Sequence, residues 1–232
     1  MENKPSFFDF AAEVGLTKHF GGLESTQKLV ELGHIRTDAI ILDVGCGVGT
    51  TACFLAKRYG CRVVGVDIHA RMVERSEERA RREGLTDRVE FRVADAQNLP
   101  FEDGLFDLVI TESVTSFPED KQQAVNEYVR VIRSGGFVGL AESTWLKVPP
   151  PPALLAWVSQ DVGACVQPLT ADEWIGLLKK RRGTRYQDTG FPGRYQARST
   201  IVVGSLWFWR DGGQHAPNAA AVFTKSGLSR FR

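Results

Sequence analysis

The stretch Ile40-Ile41-Leu42-Asp43-Val44-Gly45-Cys46-Gly47-Val48-Gly49-Thr50 decides the fold of this chain. Its apolar first half predicts a strand that is buried on both faces, as in a parallel sheet. The three alternate glycines permit a sharp turn and let a ligand approach the backbone closely. A helix is expected over 50–59, ended by Gly60. Because the free N–H groups at a helix N-terminus attract anionic groups, the stretch predicts a small-molecule site.

The composition is typical of a soluble globular protein. With 43% hydrophobic and 25% charged residues, the 232-residue chain can bury one large core. Its net charge of +1 provides no electrostatic field that would favour a nucleic-acid partner. The four cysteines show no C-x-x-C spacing, and no signal-peptide-like or bilayer-length apolar run is evident. We therefore expect a cytoplasmic protein with reduced thiols, no nucleic-acid partner and no integral membrane segment.

Two more acids follow the next two predicted strands. Asp67 comes directly after the second predicted strand, 62–66, and 22 residues beyond Gly45, where a carboxylate can accept hydrogen bonds from both hydroxyls of a ribose. Asp95 follows the third predicted strand and opens the segment Asp95-Ala96-Gln97-Asn98-Leu99-Pro100-Phe101. Each acid also has a structural interpretation, since Asp67 can cap the next helix and Asp95 can form an Asx turn.

The residues after Asp67 provide apolar surface beside this edge of the sheet. Ile68 would present an apolar face to a purine ring. The segment 70–84 is predicted to be a helix whose opposite charges recur three and four residues apart, which is typical of a solvent-exposed surface. Within it, Met72 and Val73 are expected to face the sheet.

The glycine turn, Asp67 and the segment that begins at Asp95 together resemble the class I S-adenosylmethionine-dependent methyltransferases, in particular the quinone, sterol and tocopherol methyltransferase group. The glycines follow a G-x-G-x-G pattern preceded by Asp43, whereas the dinucleotide fingerprint G-x-G-x-x-G/A requires a small residue where this chain has Thr50. The segment from Asp95 is similar to the family's A-D-A-x-x-L-P-F motif. The resemblance is specific over about residues 36–141.

The resemblance implies a set of cofactor-binding residues. Asp43 and the backbone of the turn would hold the amino-acid end of S-adenosyl-L-methionine, Asp67 its ribose, and Asp95 with the N–H of Ala96 its adenine. Glu112 follows the fourth strand, at the edge where open α/β sheets bind ligands, and would line the transferable methyl group. The full set is Asp43, Gly45, Cys46, Gly47, Gly49, Asp67, Ile68, Met72, Asp95, Ala96 and Glu112.

The strand pattern and the resemblance predict an α/β, three-layer Rossmann-like methyltransferase fold with a mostly parallel seven-stranded sheet. The strand order would be 3-2-1-4-5, with the family's antiparallel seventh strand at the far edge. The fourth and fifth strands are predicted at 106–110 and 137–141. Between them we expect a helix over 118–132 that opens with a capping box at Ser116.

We expect a single methyltransferase domain over 1–232. Residues 1–35 would form an N-terminal cap that closes over the cofactor, and 36–145 the cofactor-binding core. Residues 146–232 would supply the acceptor pocket and the last strands, with 200–210 as either a final strand or a buried helix. The expected partner is a small-molecule acceptor, together with a possible homodimer contact.

The resemblance implies transfer of a methyl group by in-line displacement, mainly through alignment of the reactants. Holding the reacting atoms about 3–3.5 Å apart in a dry pocket can remove on the order of 7–11 kcal/mol of barrier. A protein base is needed only for a hydroxyl or carbon-acid acceptor, and His19 and Glu112 are the candidates. No metal site is expected.

Two other functions stay open on the sequence alone. An NAD-linked oxidoreductase would need Thr50 in place of the small third residue of its fingerprint and would leave Asp95 without a role. A catalytically silent S-adenosylmethionine-binding or interaction protein would use the same motifs, with the cluster 207–209 as an apolar interface. The missing D/N-P-P-aromatic sequence after the fourth strand argues against methylation of amino groups on nucleic acid bases.

Overall fold

The computed structural model describes residues 7–14, 22–33, 35–145, 148–149, 152, 167–179, 184–188 and 201–210. Within these ranges a single sheet carries helices on both faces. The strands are β1 (Ile40–Val44), β2 (Arg62–Asp67), β3 (Val89–Val93), β4 (Phe106–Glu112), β5 (Ile132–Trp145), β6 (Leu169–Thr170), β7 (Thr184–Asp188) and β8 (Ile201–Arg210). The helices are α1 (Phe7–Glu13), α2 (Gly22–Leu32), α3 (Thr50–Tyr59), α4 (Ala70–Glu83), α5 (Lys121–Val131) and α6 (Ala171–Lys179).

The sheet has the order β3-β2-β1-β4-β5-β8-β7, and β6 pairs with the end of β5. The first five strands are parallel and confirm the predicted order 3-2-1-4-5. The predicted count of seven was low, because the described sheet has eight strands. The placement of the antiparallel strand was also wrong. It is β8, and it lies between β5 and β7, since the long β5 pairs with it from Phe137 to Trp145 and leaves the five-residue β7 at the edge.

The central strand β1 is buried on both faces, as its apolar run predicted. Leu42 and Val44 pack in the cluster that includes residues of α5 and α6. Ile41 packs in the other cluster, which includes residues of α2, α3 and α4. Because side chains alternate along a strand, Asp43 lies on the same face as Ile41, beneath α3.

The structure corrects one predicted helix start and resolves one alternative. Helix α5 begins at Lys121 rather than 118, because Asp120 is its N-cap and accepts a hydrogen bond from the N–H of Gln123 at 2.9 Å. Ser116 does not open this helix, since its hydroxyl donates to Glu142. Within the segment 200–210, residues Ile201–Arg210 form strand β8 and not a helix.

No helix in the described part of the chain is both long and apolar enough to cross a membrane.

Candidate functional site

The turn after β1 has one side open to a ligand. Gly45, Gly47 and Gly49 all have positive φ angles of 70°, 52° and 75°, a region that L side chains rarely adopt. A Cβ at position 45 would overlap the side chain of Val114, and one at 49 would lie 2.8 Å from the Cβ of Ser76. A Cβ at position 47 would meet no atom within 4 Å. The space beside Gly47 is therefore the ligand-accessible part of the turn.

Asp67, at the end of β2, ties this turn to the next helix. Its Oδ2 accepts a hydrogen bond from the N–H of Gly47 at 2.9 Å, and its Oδ1 accepts one from the N–H of His69 at 3.0 Å. The N-cap residue of α4 is His69, with no side-chain capping hydrogen bond, so the alternative interpretation of Asp67 as the cap of this helix was wrong. Burial of the carboxyl group raises its pKa, while these two hydrogen bonds act in the opposite direction.

Asp43 is buried beneath the first turn of α3. It is 3% exposed. Burial, followed by the charges of Glu112 and Asp67, raises its pKa well above 3.8, whereas the backbone N–H of Ala52 acts to lower its pKa. Its Oδ2 is buried and has no hydrogen-bond partner among the described residues. A buried acceptor without a partner is costly, so this oxygen suits a ligand that brings a donor.

Glu112, the last residue of β4, is held by two helices. Its Oε1 accepts a hydrogen bond from the hydroxyl of Thr26 on α2, and its Oε2 accepts one from the hydroxyl of Thr51 on α3, both at 2.9 Å. The side chain is buried. Sequence reasoning missed both threonines, because no motif or spacing links Thr26 to the end of a strand 86 residues later.

Asp95 forms the Asx turn that the sequence offered as its structural interpretation. Its Oδ1 accepts a hydrogen bond from the N–H of Gln97 at 2.8 Å, and its carbonyl accepts one from the N–H of Asn98. The side-chain oxygen of Gln97 in turn accepts the N–H of Asp120 at the start of α5. Asp95 and Ala96 are only half-buried, so the turn leaves both open to contact with a ligand.

The three acids lie at one edge of the sheet. Asp43, Asp67 and Asp95 are at or just beyond the carboxyl ends of β1, β2 and β3, which are neighbouring parallel strands. Asp43 and Asp67 are close enough for the charge of one to raise the pKa of the other. Ile68 is 62% exposed at this edge, as a surface for an apolar ring would be.

Helix α1 covers the glycine turn. The ring of Phe8 stacks on His69 with centroids 4.8 Å apart and meets the ring of Phe117 edge-on at 5.4 Å. Met72 is buried in a small cluster with residues of α1 and of the turn. The expectation that Met72 faces the sheet was therefore wrong, because α1 covers its side of α4, whereas Val73 does pack in the core. The candidate base His19 lies outside the described residues.

A further buried acid, Glu142, was not among the predicted site residues. It lies near the end of β5 and accepts hydrogen bonds from the N–H groups of Val114 and Thr115 and from the hydroxyl of Ser116. Its burial raises its pKa. The signal that found Asp67, an acid at the carboxyl end of a parallel strand, would also have found Glu142.

This fold and this edge define an α/β protein that binds a nucleoside-containing cofactor. A glycine turn, a neighbouring acid at the end of β2 and a third acid after β3 are the parts such a site requires.

Comparisons with known proteins identify the family. Residues 41–136 match the family described as Methyltransferase domain. An uncharacterised protein of Haemophilus influenzae is 34% identical over 78% of this chain and 72% of its own length. The 27-O-demethylrifamycin SV methyltransferase of Amycolatopsis mediterranei is 36% identical over 67% of this chain and 57% of its own length. The crystal structure of geranyl diphosphate C-methyltransferase from Streptomyces coelicolor, in complex with Mg²⁺, geranyl diphosphate and S-adenosyl-L-homocysteine, shares the fold. It has a TM-score of 0.69 and 18% identity over 82% of this chain and 79% of that one.

The chain belongs to the class I S-adenosylmethionine-dependent methyltransferases, and S-adenosyl-L-methionine is its cofactor. The family favours methyl transfer to a small molecule over the NAD-linked and catalytically silent alternatives. The matched segments span between 30% and 57% of the length of the relatives that are named as methyltransferases.

Proposed function

We propose that this protein transfers a methyl group from S-adenosyl-L-methionine to a small-molecule acceptor. The observation that carries the proposal is the open side of Gly47, whose N–H donates to Asp67, a carboxylate close enough to Asp43 to raise its pKa. One buried acid there has an oxygen without a partner in the described structure, and the other is bonded to the turn itself. Such an arrangement suits a ligand that carries both a cationic donor and hydroxyl groups.

The residues at the carboxyl ends of β1, β2 and β3 match the separate parts of the cofactor. Asp43 Oδ2 would accept a hydrogen bond from the α-ammonium group. Each Asp67 oxygen accepts one backbone N–H and keeps a second lone pair, which would accept a ribose hydroxyl. Asp95 and the N–H of Ala96 would bind the adenine, and the exposed Ile68 would contact its face.

Bound S-adenosyl-L-methionine supplies a methyl group that is activated by a positively charged sulfur. The protein's own residues position the reactants and exclude water. Helix α1 contributes Phe8 over His69 and so supports the role of residues 1–35 as a cap. Glu112 is bonded to two hydroxyl groups, and these contacts favour a role in holding the cofactor site over a role as the base. His19 remains the other candidate base.

The acceptor is proposed to be a small metabolite and not a nucleic acid. The net charge of +1 provides no overall positive field of the kind that attracts phosphate backbones. The relative and the structural neighbour described above are named for a rifamycin and for geranyl diphosphate, two molecules with large apolar parts. We extend this property to the acceptor, and propose that 146–232 supplies its pocket within one domain. A cytoplasmic location and a homodimer are part of the same proposal.

A methyl-transfer screen tests the proposal. The full chain is incubated with methyl-labelled S-adenosyl-L-methionine and a library of apolar phenols, quinones, sterols and amines. Formation of S-adenosyl-L-homocysteine with labelled product is the expected result for at least one acceptor class. The variant Asp43→Asn, measured in parallel, should lose the activity, because its side-chain amide cannot provide the negative charge. Cofactor binding without transfer to any acceptor would support the catalytically silent alternative.

A further inference from the structure

The turn after β4 has a strained backbone at its first residue. Ser113 has a φ angle of 61°, and it is the only described residue other than glycine with a positive φ. This left-handed conformation is strained for a residue with a side chain, so the surroundings must hold it in place. One restraint is the hydrogen bond from the N–H of Ser113 to the carbonyl of Ala141 on β5, at 2.8 Å.

Glu142 supplies the other restraints. Its Oε1 accepts the N–H of Val114 at 3.0 Å and the N–H of Thr115 at 2.7 Å. Its Oε2 accepts the hydroxyl of Ser116 at 3.0 Å. The side chain is 1% exposed, and all three donors come from consecutive residues of the same turn. A buried carboxylate with three such bonds fixes the turn relative to β5, because losing any of them leaves a buried polar group unpaired.

The turn after β4 contacts the glycine turn after β1 directly. The side chain of Val114 occupies the space that a Cβ of Gly45 would fill, so the two turns pack without a gap. On the other side, Phe117 meets the ring of Phe8 on α1, which stacks on His69. A shift of this turn would therefore move the glycine turn and the covering helix together.

We propose that Glu142 is a positioning residue for the methyl-transfer site, and that it acts through Val114 on the glycine turn at Gly45. It is 1% exposed, and its side chain accepts hydrogen bonds from the turn after β4, so its proposed effect on the site is indirect. Its hydrogen bonds hold Val114 against Gly45 and so keep the open side of Gly47 in the shape that binds the cofactor. This inference rests on the proposed function, because it assigns Glu142 to the same site.

Three variants separate this role from a merely structural one. Glu142→Ala removes all three acceptor contacts. Glu142→Gln keeps an oxygen for the two N–H groups and offers an amide N–H to the Ser116 hydroxyl, so it should rescue binding. Val114→Ala leaves Glu142 in place and removes the contact of the Val114 side chain with Gly45. The matched control is Val125→Ala, which truncates a fully buried side chain of α5 in the same way.

The test measures the dissociation constant of S-adenosyl-L-homocysteine by calorimetry, well below the melting temperature of each variant. We expect Val114→Ala and Glu142→Ala each to weaken binding about tenfold, and the double variant to bind no more weakly than Glu142→Ala, as coupled neighbours do. Glu142→Gln and Val125→Ala should stay within about threefold of the wild type. If Glu142→Ala fails to fold, Val114→Ala and Glu142→Gln carry the test with the same expectations.

Four outcomes would overturn the inference. They are wild-type affinity in Val114→Ala, additive losses in the double variant, equal losses in Glu142→Gln and Glu142→Ala, and a loss of equal size in Val125→Ala. If the wild type itself does not bind S-adenosyl-L-homocysteine, the proposed function fails, and the inference falls with it. That result is distinguishable, because it is read from the wild type alone.

Discussion

Asp67 and Gly47 are joined by a hydrogen bond of 2.9 Å, although they belong to different strand–helix units. The carboxylate at the end of β2 thereby fixes the one glycine of the glycine turn whose side is open to a ligand. The acid that is proposed to bind the ribose thus also shapes the turn that is proposed to bind the rest of the cofactor.

Replacing Asp67 by alanine should weaken S-adenosyl-L-methionine binding by about 1–3 kcal/mol, because the ribose hydroxyls and the Gly47 N–H lose their acceptor. Calorimetric titration measures this change. Asp38→Ala is the control, since Asp38 is exposed, lies two residues before β1 and forms its ion pair with Arg36. An unchanged dissociation constant in Asp67→Ala would remove Asp67 from the cofactor site.

Replacing Gly47 by alanine should abolish cofactor binding while the protein stays folded. The added methyl group would occupy the open side of the turn, at a cost in backbone strain of roughly 1–2 kcal/mol. Gly84→Ala is the matched control, because Gly84 has a φ angle of 67° and equally open space but caps the far end of α4. Both variants should lose a similar free energy of unfolding in urea, and only Gly47→Ala should lose binding. Equal affinities in the two variants would contradict this placement of the ligand.

The stability of the cofactor-free protein should depend on pH through Asp43. Because its pKa is raised well above 3.8 in the folded state, the folded protein keeps a proton that the unfolded chain releases. The contribution of this carboxyl group is therefore full below its ordinary pKa, and it is lost as the pH rises through the raised value. Asp43→Asn lacks this loss.

Urea unfolding at pH 5 and pH 8 compares the two proteins in that window. We expect the free energy of unfolding of Asp43→Asn, relative to the wild type, to increase with pH. The exposed Asp38→Asn should show no such increase. A wild type and an Asp43→Asn variant with parallel pH profiles would mean that Asp43 ionises as it does in water.

The role of Glu112 is tested by comparing the Glu112→Gln variant with the Glu112→Ala variant. Glu112→Gln keeps partners for Thr26 and Thr51, so cofactor affinity should change by less than about threefold. Glu112→Ala leaves both hydroxyls without this partner and should lose about 1–3 kcal/mol of stability. Thr51→Val serves as the comparison, because it removes one of the two hydrogen bonds from the other side. If Glu112→Gln binds the cofactor normally but transfers no methyl group, Glu112 is a base after all.

The parallel strands β1 to β5 were predicted well from the sequence, because the patterns that mark them lie within short stretches of the chain. Buried strands, each followed by an acid or a glycine turn, appear as short apolar runs with fixed neighbours, as at Ile41 and Asp43. The pairing of β5 with β8 is between segments about 65 residues apart, and periodicity carries no information on which strand lies at an edge. For the same reason 200–210 was open between strand and helix.

The candidate site residues were likewise predictable only where a local pattern marks them. The acids that end β1, β2 and β3 stand next to recognisable turns, so the sequence identified them. The partners of Glu112 and the three donors to Glu142 come from elements distant in the chain, and only packing brings them together. The prediction for Met72 was wrong because no pattern in the sequence indicates that α1 packs against α4.

Titration of the full chain with S-adenosyl-L-methionine, followed by the same titration of the Asp43→Asn and Asp67→Ala variants, tests the central claim most directly. The claim is that acids from neighbouring strands bind one cofactor molecule beside Gly47. It predicts a single site in the wild type, weakened in both variants, and no detectable binding of NAD. Absence of binding in the wild type, or equal affinity in all three proteins, would contradict it.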